Sequence, residues 1–176
     1  MNSSWPFSLI FVWRPENDGQ ALHTDTNDYG GATSMGVTHT TWAAAVEHGL
    51  VADVPLAEAS QDDLALVLKT NFWNAAGCDR LAVGVDMAVF NLAMVGGPGR
   101  AARVLQSTVG AVVDGQVGPR TLAAAAKMSS DSLIRSFTAS EETFYASIPS
   151  ARFFLKGWDR RAEDCRTEAL ALLATA

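Results

Sequence analysis

Apolar residues in this chain fall mostly into short blocks at helical spacing, punctuated by glycine, proline and small polar residues. The first block, Phe7 to Trp13, follows Ser4, a suitable helix N-cap, and Pro6, which a first turn tolerates. Its helix ends across Ser8 to Arg14, where Pro15 stops or kinks it. Thr40 is placed to cap a helix over Trp42 to His48, closed by Gly49. Ser60 to Asp63 has the form of a capping box opening a helix over Leu64, Leu66, Val67 and Leu68. That helix runs on to Phe72-Trp73 and stops near Gly77. Asp79 is placed to cap the next, Leu81 to Val95, which is nearly all apolar apart from Asp86 and Asn91 and predicts a buried central helix. Four more follow: Arg100 to Val109 after a glycine-proline turn, Thr121 to Met128 behind Pro119, one capped by Asp131 and ending at Tyr145, and Ala151 to Leu173 behind Pro149. The pattern predicts a mainly α fold, with no repeats and no low-complexity linker.

One long stretch breaks this rhythm. Pro15 to Thr38 is polar, holds Glu16, Asp18, Asp25 and Asp28, and contains the pair Gly30-Gly31. A polar, glycine-punctuated loop of that length in a small domain is uncommon unless functional. Weak alternation at Thr33, Met35 and Val37 allows at most a small β-hairpin near residues 25–38.

Composition narrows the function. With 176 residues, 48% of them hydrophobic, the chain can bury the core of one domain. No apolar run is long enough to cross a membrane. The N-terminal run lacks a basic flank and a small-residue cleavage site, so it does not read as a signal peptide. Cys78 and Cys165 stand far apart without a CxxC pattern, and read as buried free thiols. Net charge is −6, and it is uneven: the first 70 residues carry nine acids against two bases, the rest ten against eleven. Such a surface disfavours nucleic acid binding by phosphate neutralisation.

The acidic loop suits carboxylate chemistry. Glu16 falls at or just past a helix C-terminus, whose partial negative charge favours the protonated carboxyl that a general acid needs. Glycoside hydrolysis needs such a group, and a second polar group to activate water or hold the oxocarbenium-like charge. Asp25 and Asp28 are the candidates for that second role. The competing reading is that all these acids are turn and capping residues on a solvated loop. His23 is a lone loop histidine, and His39 and His48 have the wrong spacing for a helical metal pair. Ser34 lacks a nucleophile-elbow context. Among the aromatic residues, Trp42, Phe72, Trp73, Phe153 and Trp158 read mostly as core, with one or two able to line a sugar groove.

The order of motifs adds a resemblance. The loop from Glu16 to Thr38, with Asp28-Tyr-Gly-Gly-Ala-Thr33 and Gly36-Val-Thr38, resembles the N-terminal signature of glycoside hydrolase family 108, the lysozyme-like N-acetylmuramidases of phages and bacteria. Phe72-Trp73 is similar to the family's Tyr-Trp, and Leu81 to Phe90 to its central helix. Gly97 to Gln106 and Val113 to Leu122 resemble its predicted peptidoglycan-binding segment. Phe144-Tyr145 and Gly157-Trp158-Asp-Arg-Arg161 resemble its C-terminal motifs. Two departures stand out. The family's Glu-Gly-Gly is here Glu16-Asn17-Asp18-Gly19, and the expected Asn before a Ser-Gly turn is replaced by Val95-Gly96.

The resemblance implies a lysozyme-like helical domain, with a catalytic part at 1–96 and a peptidoglycan-binding helical part at 97–176 packed on it. It implies a muramidase cleaving the β-1,4 bond between N-acetylmuramic acid and N-acetylglucosamine. The family's catalytic glutamate falls on Glu16, and Asp28 and Thr33 fall on its Asp-x-Gly-Gly-x-Thr motif. Related phage lysozymes place their Asp nine residues after the Glu, which here is Asp25. Asp25 and Asp28 therefore both stay open, with Asp28 slightly favoured. His23, Trp73 and Asn91 are candidate substrate contacts. No metal or cofactor is called for, the partner is the glycan strand of peptidoglycan, and a monomer is expected. Synthesis in the cytoplasm and release to the peptidoglycan layer, as for a phage endolysin, is the implied setting. The alternatives are a weak or inactive peptidoglycan-binding module, and a lytic transglycosylase.

Overall fold

A computed structural model describes residues 3–24, 32–148 and 151–175. Its elements are α1 (Trp5–Val12), β1 (His23–Thr24), β2 (Ala32–Ser34), β3 (Val37–Thr38), α2 (His39–Glu47), α3 (Gln61–Leu68), α4 (Val85–Gly96), α5 (Pro98–Thr108), α6 (Pro119–Ala125), α7 (Ser130–Ser147) and α8 (Ala151–Leu173). The fold is mainly α, as the periodicity predicts. Among the described residues the β part is a three-stranded antiparallel sheet in the order β1-β2-β3, so it adds His23–Thr24 to the expected hairpin.

Helix α4 is the centre. Every residue from Val85 to Ala93 is buried, and α1, α5, α7 and α8 pack around it. A helix apolar on all sides can only be stable enclosed in this way. Its start differs from the expected Asp79 cap. A short 3₁₀ turn at Cys78–Arg80 intervenes, and the Asp79 carboxylate instead accepts the Trp73 indole N–H at 2.6 Å. The N-terminus of α4 is tied to α1 by Ser4, which is buried. The Ser4 hydroxyl accepts from Gly84 N at 3.1 Å, and Ser4 N donates to Asp86 Oδ2 at 2.9 Å. Ser4 thus sits at the N-cap of α1 but spends its side chain on the neighbouring helix. Burial pushes the Asp86 carboxyl above its ordinary range, against the hydrogen bonds from Ser4 and Met87.

Other ends follow local chemistry. Ser60 Oγ accepts from Asp63 N, capping α3 at the expected residue. The Asp63 carboxylate returns to the Ser60 hydroxyl, which donates to Oδ2, where a full capping box would have it accept from the Ser60 backbone N–H. Helix α3 passes into a π-helical stretch, Lys69–Asn74, that carries Phe72 and Trp73. Thr38, not Thr40, caps α2: it leaves β3 with extended backbone, and its hydroxyl accepts from Thr41 N. Ser129 caps α7, placing Asp131 in the first turn. Gln106 is fully buried and organises the loop after α5, donating to Asp114, Gln116 O and Thr121 while accepting from Gly115 N. Cys78 and Cys165 are buried free thiols. Among the described residues no helix is long and apolar enough to cross a membrane.

Candidate active site: a glutamate turn braced by a buried polar network

Glu16 lies in the reverse turn that ends α1, and it is exposed. The turn exists because α1 leaves carbonyls that need donors. Asp18 N donates to Val12 O at 2.9 Å, Asn17 N and Gly19 N both reach Arg14 O, and Asn17 Nδ2 donates to Phe11 O at 2.7 Å. These bonds fix the backbone on both sides of Glu16 without using its carboxyl.

Gly19 is what lets the turn close. A Cβ there would sit 1.9 Å from the Trp13 carbonyl oxygen and 2.4 Å from its carbon, which is backbone against backbone with nothing flexible to give. Gly19→Ala should therefore cost at least about 2 kcal/mol and disturb the Glu16 turn. Urea unfolding beside wild type measures the loss.

The β2–β3 hairpin docks on this turn. Met35 and Gly36, its two central residues, both have positive φ (47° and 85°), the conformation that a tight two-residue hairpin needs. Met35 N donates to Gln20 O at 2.9 Å, and the Trp13 indole N–H reaches Met35 O at 3.2 Å. Thr33 is half-buried in β2, paired with His23 of β1 and Thr38 of β3. Thr33 therefore belongs to the sheet braced against the Glu16 turn. Asp25 and Asp28 lie outside the described residues.

Two expected sugar contacts are placed elsewhere. Trp73 is fully buried, with edge-on contacts to Trp5 at 5.4 Å and Phe90 at 5.5 Å. Both ring faces are covered, so it is a core residue and offers no stacking platform in this structure. Asn91 is also buried and its amide is committed at both ends. Its Nδ2 donates to Glu141 Oε1 at 3.2 Å, and its Oδ1 accepts from Arg161 Nε at 2.8 Å. One helical turn on, Val95 is partly buried against the core.

The Asn91 partners form a network that sequence pattern alone does not single out. Glu141 of α7 accepts from the Tyr145 hydroxyl at 2.6 Å, and Arg161 of α8 donates to Asp18 Oδ2 at 2.6 Å. The chain of bonds runs from Tyr145 and Glu141 through Asn91 and Arg161 to Asp18, two residues from Glu16. Signals for it exist. Glu141 falls on the buried face of α7 with Ile134, Phe137, Thr138 and Tyr145, an unusual place for an acid. Trp158 of the Gly-Trp-x-x-Arg motif lies against the Tyr145 ring at 5.4 Å, and Arg161 follows one turn later.

Burial pushes the Glu141 carboxyl up to about 7, against the opposing pull of Tyr145, Arg161 and Asn91. Its folded-state value lies above that of the unfolded chain, so its stabilising contribution is full below about pH 4.5 and is lost as pH rises through 7. The range corresponds to about 3 kcal/mol. Glu141→Gln keeps an acceptor for Tyr145 and Asn91 and removes the titration. Its unfolding free energy should be flatter than wild type between pH 4.5 and 8, as urea titrations across that range would measure.

The Glycosyl hydrolase 108 family profile matches residues 16–97, starting at the exposed glutamate. A second profile, Predicted Peptidoglycan domain, matches residues 100–163 and takes in Glu141, Tyr145 and Arg161. Among solved structures, SagA of Brucella abortus superposes with a TM-score of 0.84 at 30% sequence identity, over 96% of this chain and 94% of that one. The chain belongs to the glycosyl hydrolase 108 family. No curated protein matches it. As a member of glycosyl hydrolase 108 with a peptidoglycan segment, it is a glycosidase acting on peptidoglycan.

Proposed function

We propose that this glycosyl hydrolase 108 protein is a muramidase, hydrolysing the β-1,4 bond between N-acetylmuramic acid and N-acetylglucosamine, with Glu16 as the general acid. The observation that carries the reading is the exposed Glu16 at the first matched family position, on a turn whose backbone is fixed independently of its carboxyl. Thr33, on the sheet docked against that turn, positions water or stabilises charge together with Asp28 or Asp25. His23, paired with Thr33, is the remaining candidate sugar contact. Residues 1–96 form the catalytic part and 97–176 the wall-binding part, and the protein acts as a monomer. In the endolysin form of this reading, the protein is made in the cytoplasm and reaches the peptidoglycan layer through a separate pore.

Product analysis tests the bond specificity. Purified sacculi digested with the full chain should yield fragments whose reducing end is N-acetylmuramic acid. Reducing N-acetylglucosamine ends would make it a glucosaminidase, and anhydromuramic ends a lytic transglycosylase.

A further inference from the structure

Helix α8 grips the Glu16 turn on both sides of the glutamate. Arg161 Nη1 donates to Asp18 Oδ2 at 2.6 Å, and Arg14 Nη2 donates to Glu168 Oε1 at 2.8 Å. Residues 14 and 18 bracket Glu16. On α8, Arg161 and Glu168 are two helical turns apart, about 10 Å along one face. Cys165 is buried between them with its Sγ 3.8 Å from Met87 O, so this face of α8 lies against α4.

The two contacts are unequal. The Arg14–Glu168 pair is 35% and 44% exposed, in the regime where ion pairs contribute little. The Arg161 side chain is only 9% exposed and Asp18 28%. A buried guanidinium brings a desolvation cost that a well-packed apolar side chain avoids, so packing alone gives no reason for it. What the guanidinium adds is direction. Its planar fork is held at Nε by Asn91, itself held by Glu141, and that leaves Nη1 aimed at Asp18. Asp18 in turn abuts the hairpin tip: a Cβ on Gly36 would meet Asp18 Cβ at 3.2 Å. One guanidinium therefore sets the position of the glutamate turn and its seat against the sheet that carries Thr33.

We propose that Arg161, held by Asn91 and Glu141, is a positioning residue that orients the Glu16 turn through Asp18, making α8 part of the hydrolytic site. Arg161 lies inside the segment matched as a peptidoglycan domain. That segment then completes the catalytic machinery as well as carrying any wall-binding surface. The proposal rests on Glu16 being the proton donor.

The test measures kcat, KM and sacculus binding on the full chain for wild type, Glu16→Gln, Asp18→Ala, Arg161→Met, Arg161→Lys and Arg14→Ala, with melting temperature alongside. Asp18→Ala and Arg161→Met should each lower kcat about 100-fold, the scale of a 1 Å misplacement, with KM and sacculus binding unchanged. The Asp18→Ala/Arg161→Met double variant should be no worse than either single one, because both break the same contact. Arg161→Lys should recover only part of the loss, since one ammonium cannot reproduce the fork. Arg14→Ala should retain wild-type kcat. If Arg161→Met fails to fold, Asp18→Ala carries the test from its partly exposed end. Wild-type kcat in folded Asp18→Ala, or a loss confined to KM and sacculus binding, overturns the proposal while an inactive Glu16→Gln leaves the proton-donor reading standing. A fully active Glu16→Gln removes that reading, and the positioning proposal with it.

Discussion

Glu16→Gln should lower peptidoglycan hydrolysis by about 10²- to 10⁴-fold, the range associated with losing a positioned proton donor. Fold and wall binding should not change. The substitution is nearly isosteric and the residue is exposed. The turn is held by Asn17, Asp18 and Gly19 backbone bonds to Val12 and Arg14, so the Glu16 side chain is not what shapes it. Stability should stay within about 0.5 kcal/mol of wild type, as for surface substitutions generally. Sacculus clearing, sacculus pull-down and thermal unfolding on one preparation measure all three. An active, correctly folded variant would move the chemistry to another residue.

Trp73→Ala should destabilise the protein by about 3–5 kcal/mol, the usual cost of removing a large buried aromatic side chain. Trp73 is wholly buried, sits edge-on to Trp5 and Phe90, and anchors Asp79 through a 2.6 Å hydrogen bond. Truncation opens a cavity at the junction of α1, α4 and the π-helical stretch, and strips the Asp79 carboxylate of its donor. Against a total stability of about 5–15 kcal/mol, the loss is a large fraction. Urea unfolding gives the number. A sugar-stacking Trp73 would give the opposite pattern, with unchanged stability and weakened substrate binding.

Both cases bear on what was legible in the sequence. Helices and their order could be read because caps and apolar periodicity are local: Ser60 with Asp63, and Pro119 at the start of α6. Caps drifted at two places: Asp79 went to Trp73, and the extended end of β3 put Thr38 ahead of Thr40, while Ser4 kept the N-cap position of α1 with its hydroxyl turned to Gly84 N. Whether an aromatic has a free face depends on residues distant in sequence, so Trp73 could be read as a sugar platform from its motif alone. The Asp18–Arg161–Asn91–Glu141 network spans 143, 70 and 50 residues, beyond any local pattern. Asp18 accordingly looked like one more loop acid. The ordered motifs from Glu16 to Arg161 did carry the family, because a series of spaced motifs constrains far more than any one.

The central claim is that water is the acceptor when Glu16 protonates the leaving oxygen. Digestion of sacculi in water enriched in heavy oxygen, followed by mass spectrometry of the fragments, tests it most directly. Each new N-acetylmuramic acid reducing end should carry one heavy oxygen in the wild-type digest, and labelled ends should be nearly absent with Glu16→Gln. Unlabelled anhydromuramic ends from the wild type, or equal labelling by the two proteins, would contradict the account.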